Sequence, residues 1–281
     1  MSTSFKIGKY QIGTVQDHAS PFRDPAVVYP KVLASDWDPY RSFALLPDGK
    51  AQSQWRGHLI RHAGGGRGPV VIVDTGMGPG PHSHTGKAGE FMDNLTAEGV
   101  QPGDVTAVVI THTHGDHIGW NVTWDDNEPS ATFPGATYFI AQADWDHYSA
   151  ADPKNDAFEK QVRPLREFGR LKLVRGQVEV APGISTLPTN GHTPGHQCVL
   201  VQSDGQTGVL TGDLFHNVAQ VTEQHWCPTF DWNTDLSTAS RRWLLWRAQA
   251  EGWVVFSGHL PVGRSIGRVV EKNGKPSWEG V

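Results

Sequence analysis

One ten-residue stretch constrains this chain more than any other. It reads Thr111-His112-Thr113-His114-Gly115-Asp116-His117-Ile118-Gly119-Trp120, and it is entered directly from the apolar run Val105–Ile110. Four ligand-type side chains fall within six residues. His112 and His114 are two apart, so in extended backbone they point the same way. The turn that follows a buried strand brings Asp116 and His117 back toward the same region. A polar loop of solvated histidines is the bland alternative. Three His and an Asp gathered at the end of an apolar strand argue against it, because such groups rarely sit at buried positions without a partner. Histidine is the commonest metal ligand and an acid/base group, and the chain has 14 of them.

One turn supplies too few ligands for two ions, and three other places match it. Asn190-Gly191-His192-Thr193-Pro194-Gly195-His196 follows the expected strand Ile184–Thr189, Thr211-Gly212-Asp213 follows Thr207–Thr211, and Ser257-Gly258-His259 follows Val254–Ser257. Each is an apolar strand, then a glycine that lets the backbone turn near a crowded centre, then a ligand.

Short apolar runs punctuated by turns predict further strands at His58–His62, Val70–Asp74, Val105–Thr111, Thr137–Ala141, Leu171–Val174, Gln177–Val180 and Gln197–Gln202. Helical spacing predicts Lys87–Glu98, Asn155–Phe168 with a distortion at Pro164, and Ser237–Glu251 behind Ser/Thr caps. Strands mixed with helices give an α/β or α+β class. No Ser- or Pro-rich linker divides the 281 residues, so the expectation is one domain over 1–281, with residues 1–56 as a strand and loop extension packed on it. The Gly64-Gly65-Gly66-Arg67-Gly68 patch reads as a hairpin loop, since neither Lys-Ser/Thr nor a helix follows.

Charge and hydropathy exclude other classes. The net charge is −5 and no Lys/Arg run reaches five residues, which argues against a nucleic-acid partner. The longest apolar stretches are strand-sized, which argues against a membrane partner. Met1–Gly13 has no basic-then-apolar leader pattern. Cys198 and Cys227 are in neither metal nor redox spacing, so a reducing, cytoplasmic setting is the default, and Cys198 reads as a buried core thiol.

The ordered set His112-x-His114-x-Asp116-His117, His192, Asp213 and His259, with Val73-Asp74-Thr75-Gly76 after an early apolar strand, resembles the metallo-β-lactamase superfamily. The resemblance spans about Gly57 to His259. It implies an α/β fold of the αβ/βα four-layer sandwich type with the metal site at one edge. It also implies that His112, His114 and His192 hold a first metal, that Asp116, His117 and His259 hold a second, and that Asp213 bridges them. Nitrogen and oxygen ligands without Cys fit two divalent ions, zinc first, with iron, manganese or cobalt also compatible. A bridging hydroxide would be the nucleophile, and Asp116 is placed to carry a proton to the leaving group.

Within the superfamily, Asp213 separates the chain from true β-lactamases, and His114 from flavin/diiron relatives that carry Glu there. The 75-residue gap from His117 to His192 is longer than in glyoxalase II-like thioesterases. That insert, with Gly212-Asp213-Leu214-Phe215-His216, Ile118-Gly119-Trp120-Asn121 and Phe133-Pro134-Gly135-Ala136, looks more like N-acyl-homoserine lactonases, pyridoxolactonase and methyl-parathion-type hydrolases. The resemblance therefore implies a hydrolase that opens a lactone or cleaves a related ester. A glyoxalase II-like thioesterase and a mononuclear iron persulfide dioxygenase-like enzyme stand as alternatives. Some lactonases carry Tyr three residues after the bridging Asp. Here that position is His216, which either meets the developing oxyanion or supports Asp213. The expected substrate wall is Trp120, Phe215, Trp226 and Phe230. With no Arg or Lys among them, it favours neutral, partly hydrophobic small-molecule esters. The stretch Val221–Trp232 reads either as a wall of that pocket or as a packing loop or homodimer interface. His82 and His84 imitate a ligand pair inside Gly and Pro, but the seven ligand roles are already filled.

Overall fold

The computed structural model describes residues 4–281 other than Arg67, His84 and Val262. The chain opens with strands β1 (Ser4–Ile7) and β2 (Tyr10–Ala19), then short helices α1 (Pro25–Val28) and α2 (Arg41–Ala44). Strands β3 (Gln54–His62) and β4 (Val71–Val73) precede α3 (Phe91–Ala97), β5 (Ala107–Val109) and α4 (Gly115–Ile118). The small hairpin β6 (Val122–Asp125) and β7 (Glu128–Ala131) is followed by β8 (Thr137–Ala141), α5 (Gln142–Ser149), α6 (Asp156–Gln161), α7 (Arg163–Glu167) and β9 (Leu171–Val174). The second half carries β10 (Glu179–Ala181), β11 (Ile184–Pro188), β12 (Gln197–Ser203), β13 (Gln206–Leu210), α8 (Ala219–Thr222), α9 (Thr234–Ala250), β14 (Val254–Phe256), β15 (Ile266–Lys272) and β16 (Lys275–Gly280).

The strands make two seven-stranded sheets, ordered β1-β2-β3-β4-β5-β8-β9 and β10-β11-β12-β13-β14-β15-β16. Period-two side-chain alternation decides how they stack. Val71, Val73, Ala107 and Val109 of the first sheet meet Val199, Val201, Leu210, Val254 and Phe256 of the second in one cluster. The intervening Ile72 and Val108 face the other way, onto Phe91, Leu95, Phe158 and Leu165. On the far side, Leu200, Val209 and Val255 pack under Leu244, Leu245 and Ala248 of α9. The layers are therefore helix, sheet, sheet, helix, as the resemblance implied. Strands β4, β5, β8 and β9 run parallel, as do β13 and β14. Parallel strands put the loops that leave their C-terminal ends on one edge of the sandwich, and the ligand candidates lie in such loops.

Several boundaries differ from expectation for identifiable reasons. The single helix expected over Asn155–Phe168 is two, α6 and α7, broken at Val162 (φ −120°), with Pro164 in the first turn of α7. Proline lacks the N–H an interior position needs but is tolerated in a first turn. Helix α9 begins earlier than Ser237, because Asn233 Oδ1 accepts from the N–H groups of Asp235 and Leu236. Helix α3 begins later than Lys87, where buried Asp17 accepts the Phe91 N–H at 2.9 Å. The C-terminal hairpin β15–β16 was not anticipated, although its turn is Asn273-Gly274 with both residues at positive φ, a strong short-range hairpin signal. Residues 4–19, expected as part of an extension, are outer strands of the first sheet. The glycine patch does connect two antiparallel strands, β3 and β4, with Arg67 outside the described residues. Among the described residues no helix is long and apolar enough to cross a membrane.

One close approach fixes the edge where the candidate ligands lie. Gly119, just after α4, donates its N–H to Gly76 O at 2.7 Å. A Cβ there would sit 2.0 Å from the carbonyl carbon of Met77 and 2.2 Å from Gly78 N. Both obstacles are backbone and cannot rotate away. Gly119→Ala is expected to cost about 1–3 kcal/mol, as overpacking does, and to lower Tm by several degrees in a thermal melt. An unchanged Tm would show that the two loops separate freely.

Candidate metal centre

The edge loops bring the seven predicted ligand residues together. His112 and His114 leave β5, Asp116 and His117 lie in α4, His192 sits between β11 and β12, Asp213 follows β13 and His259 follows β14. Gly212 precedes Asp213 at φ +49°, where a Cβ would come within 2.7 Å of Thr111 Oγ1, so the bend toward the centre requires glycine. His114 Nδ1 is 3.0 Å from His112 Nε2 and 3.0 Å from His192 Nε2. Asp213 Oδ2 is 3.6 Å from His112 Nε2 and 3.2 Å from His192 Nε2. Its other oxygen, Oδ1, is 3.0 Å from His117 Nε2 and 2.7 Å from His259 Nε2. Asp116 Oδ2 is 3.6 Å from His117 Nε2. Two compact groups result, His112/His114/His192/Asp213 and Asp116/His117/His259, with ligand atoms in each within 4.8 Å of one another. The two oxygens of Asp213 face one group each.

The surrounding hydrogen bonds decide which imidazole nitrogen is bare. Asp74 takes up His117 Nδ1 at 2.9 Å and the Thr111 hydroxyl at 2.8 Å, and that hydroxyl meets His112 Nδ1 at 3.1 Å. Asp231 takes His192 Nδ1 at 2.9 Å, and the carbonyl of Gln54 takes His259 Nδ1 at 2.8 Å. A carboxylate or carbonyl can only accept, so each Nδ1 carries its proton and each Nε2 lone pair faces inward. His117 Nε2, His259 Nε2 and Asp213 Oδ1 are buried and make no hydrogen bond. Inward lone pairs about 3 Å apart repel unless a cation lies among them. The donor set and its orphaned atoms therefore fit divalent metal.

Electrostatics tell the same story. Burial disfavours a charged Asp213, but His117, His259 and His112 outweigh it and hold the carboxyl well below the usual range. Burial likewise opposes a charged His192, yet Asp213 and Asp231 raise it to about 9. Burial, helped by His192, takes His114 down to about 4. Asp213 thus favours positive charge at His192 and His117, while burial holds His112 and His114 toward the neutral form a metal ligand needs.

Three buried acids that sequence reasoning left without a role support the centre. Asp74 stood only within the early Val73–Gly76 signature. Asp144, in α5, accepts from Thr113 N at 3.1 Å, Thr193 Oγ1 at 3.1 Å and Gly195 N at 2.6 Å, tying the His112–His117 loop to the His192 loop. Asp231 links His192 to buried Arg241, 3.6 Å away. Nothing in local sequence distinguishes Asp144 from an ordinary helix acid. Asp231 does sit in the aromatic stretch Val221–Trp232, directly between Phe230 and Trp232, and an acid flanked by two aromatics was a usable signal. His196, noted only as part of its motif, is buried and accepts the Asp213 N–H at 3.0 Å.

The expected substrate residues divide. His216 reaches Asp213 Oδ2 through Nε2 at 2.9 Å, and its Nδ1, unlike that of His112, His117, His192 or His259, has no hydrogen-bond partner. It borders a cleft together with Phe230, which lies 4.7 Å from it ring to ring. Trp120, Phe215 and Trp226 are not among the residues lining that cleft. Phe215 is fully buried in the layer under α9, 5.9 Å from Trp278. Trp226 packs on Trp37 at 4.6 Å and Tyr40 at 5.5 Å, gluing the 25–45 stretch to the body. Trp120 packs on the outer core of the first sheet. Phe215 and Trp226 are buried, and Trp120 is half-buried. His82 bonds the Gly78 carbonyl at 3.0 Å, away from the seven-residue cluster, and His84 lies outside the described residues. Cys198 is buried, as expected.

With this geometry established, the family follows. The chain belongs to the metallo-beta-lactamase superfamily, whose description matches residues 58–259. It is 26% identical to an N-acyl homoserine lactonase of Bacillus sp over 208 residues, 68% of this chain and 76% of the relative. Two solved structures share the fold. The hydrolase AbOPH superposes with a TM-score of 0.82 at 22% identity, covering 100% of this chain and 97% of that one. AidC, described as a dizinc quorum-quenching lactonase in complex with a product, gives 0.81 at 20% identity with the same coverage.

Asp231 offers a test of the hydrogen-bonded surroundings. Asp231→Asn keeps the shape but weakens the charge that fixes the His192 tautomer. Affinity for zinc is expected to fall by about 10–100-fold, read by competition with a chelating dye. Unchanged affinity would show that Asp231 serves packing alone.

Proposed function

We propose that this metal-dependent hydrolase holds two divalent ions, zinc first, and opens a lactone or cleaves a related carboxylic or phosphoric ester. The carrying observation is the division of Asp213 between the two ligand groups. A site for one ion would leave Asp116, His117 and His259 gathered without purpose. The bound ions would supply a nucleophilic hydroxide at neutral pH and polarise the substrate oxygen. The likeness to an N-acyl homoserine lactonase supports a carbonyl substrate.

The chain's own residues do the rest. Asp74, Asp231 and the Gln54 carbonyl hold four imidazoles with Nε2 inward, directly or through Thr111. His216, its Nε2 already engaged, orients Asp213. The Asp116 side chain keeps 22% exposure against 4% for Asp213. It is thus open enough to meet substrate while touching the second group, which suits a carboxylate that takes up a proton and passes it to the leaving oxygen.

The test joins metal analysis to a hydrolysis screen against lactones, aryl esters, thioesters and phosphotriesters. Two ions per chain and turnover of lactone or aryl ester are expected. One iron per chain, or thioester turnover alone, would replace this reading with one of its alternatives. Asp116→Asn, assayed with both ions verified, is expected to lower kcat by roughly 10²–10⁴-fold. Full activity once metal is restored would remove the proton-carrying role.

A further inference from the structure

The cleft beside His216 is not the neutral wall expected from sequence. Its cavity is small, about 50 Å3, room for one carboxylate-sized group, and two arginines, Arg23 and Arg264, line it with no Asp or Glu among the lining residues. They come from opposite ends of the chain. Arg23 is held by its backbone, whose N–H and carbonyl pair with Ala51 at 2.9 Å each, so its side chain is the free part. Arg264 donates through Nη1 to the carbonyl of Phe43, which fixes the guanidinium while leaving its other donors unused. Among the described residues, neither arginine has a carboxylate within ion-pair distance. The nearest acid in sequence, Asp24, spends Oδ1 on the Ala26 N–H. Ser53 and Asn217 add polar groups, and His216 forms the border toward the metal centre. In a chain of net charge −5, this is a local positive surface on the approach to the centre.

We infer that Arg23 and Arg264 bind a carboxylate carried by the substrate, away from the bond that breaks, and so make this an enzyme for anionic esters or lactones. The inference rests on the proposed hydrolase reading and deepens it. The planar guanidinium fork matches a carboxylate in geometry, and a single-sign cleft concentrates an oppositely charged ligand. A neutral acyl chain would leave both arginines unused.

The test uses the zinc-loaded protein and a matched pair of esters, 4-nitrophenyl butyrate and mono-4-nitrophenyl glutarate. The two differ mainly in a terminal carboxylate. Wild-type kcat/KM is expected to favour the glutarate ester by about 10–100-fold, mainly through KM, in line with charge-assisted hydrogen bonds. In Arg23→Gln/Arg264→Gln the ratio is expected to fall toward one, and added salt should lower it in the wild type. Arg242→Gln, an exposed change on α9, is the control for simple loss of charge. A readout independent of turnover is calorimetric binding of glutarate, expected for the wild type and lost in the double variant. Binding that depends on the arginines upholds the cleft assignment even if neither ester turns over, in which case the ester reading fails and not this one. Equal turnover of both esters with no arginine-dependent glutarate binding overturns it, as does an equal fall on both esters in the double variant.

Discussion

A single buried carboxylate organises this molecule. Asp213 lies at the end of β13, its side chain 4% exposed, and such a charge is costly to bury unless it is paired. Here it is surrounded. Nε2 atoms of His112, His192, His216, His117 and His259 all lie within 3.6 Å of its oxygens, and its own N–H is taken by His196. The loops that supply these imidazoles leave strands of both sheets, so the centre joins the two halves of the sandwich at one edge. Disturbing Asp213 would disturb the packing of that edge as well as the chemistry.

Keeping such a cluster in place demands further buried acids, which is why Asp74, Asp144 and Asp231 have so little exposure. Each does two jobs at once. Asp74 sets two histidines through one carboxylate and also accepts the Thr111 N–H at 2.7 Å. It adopts φ 60° to do so, a conformation uncommon for a residue other than glycine. Asp144 fastens two ligand loops by their backbone. Asp231 passes the constraint to Arg241, whose guanidinium also donates to the carbonyls of Leu214, Gln224 and Trp226. Helix α9 is thereby tied to the centre through one arginine, and the position of His192 depends on a helix whose main face is apolar.

The seven ligand candidates were legible because their chemistry is local. An apolar strand, a turn and a ligand follow one another in the chain, and imidazoles and carboxylates in that setting are costly to bury without a cation or a partner. The alternating apolar strands were legible for the same reason, and the layer order followed from the family resemblance. What escaped was whatever depends on distant contact. Asp144 looks like any helix acid until Gly195 and Thr193 are brought to it. Phe215 lies within three residues of both Asp213 and His216, yet the loop between β13 and α8 turns its side chain into the core under α9. Trp226 looks like a pocket wall until Trp37 and Tyr40, nearly 190 residues earlier, are packed against it.

That last failure has a physical lesson about where specificity resides. The ligand candidates all fall between His112 and His259, whereas Arg23, Phe43 and Arg264 of the cleft lie outside that span. The cleft is built mostly by the 20–53 stretch and the segment after His259, with His216–Val218 and Phe230 closing it, and is held together by Tyr29 on Gln220 at 3.0 Å and by Asn217 on the Ala44 carbonyl at 2.9 Å. In the proposed reading, reactivity and recognition are carried largely by different parts of the chain that meet at His216. Loop segments tolerate change more readily than packed strands. A chain arranged this way can alter which acyl group it accepts by changing residues such as Arg23 and Arg264 while Asp213 and its imidazoles stay fixed. This is also why the metal-centre motif, however complete, said nothing reliable about the charge of the substrate.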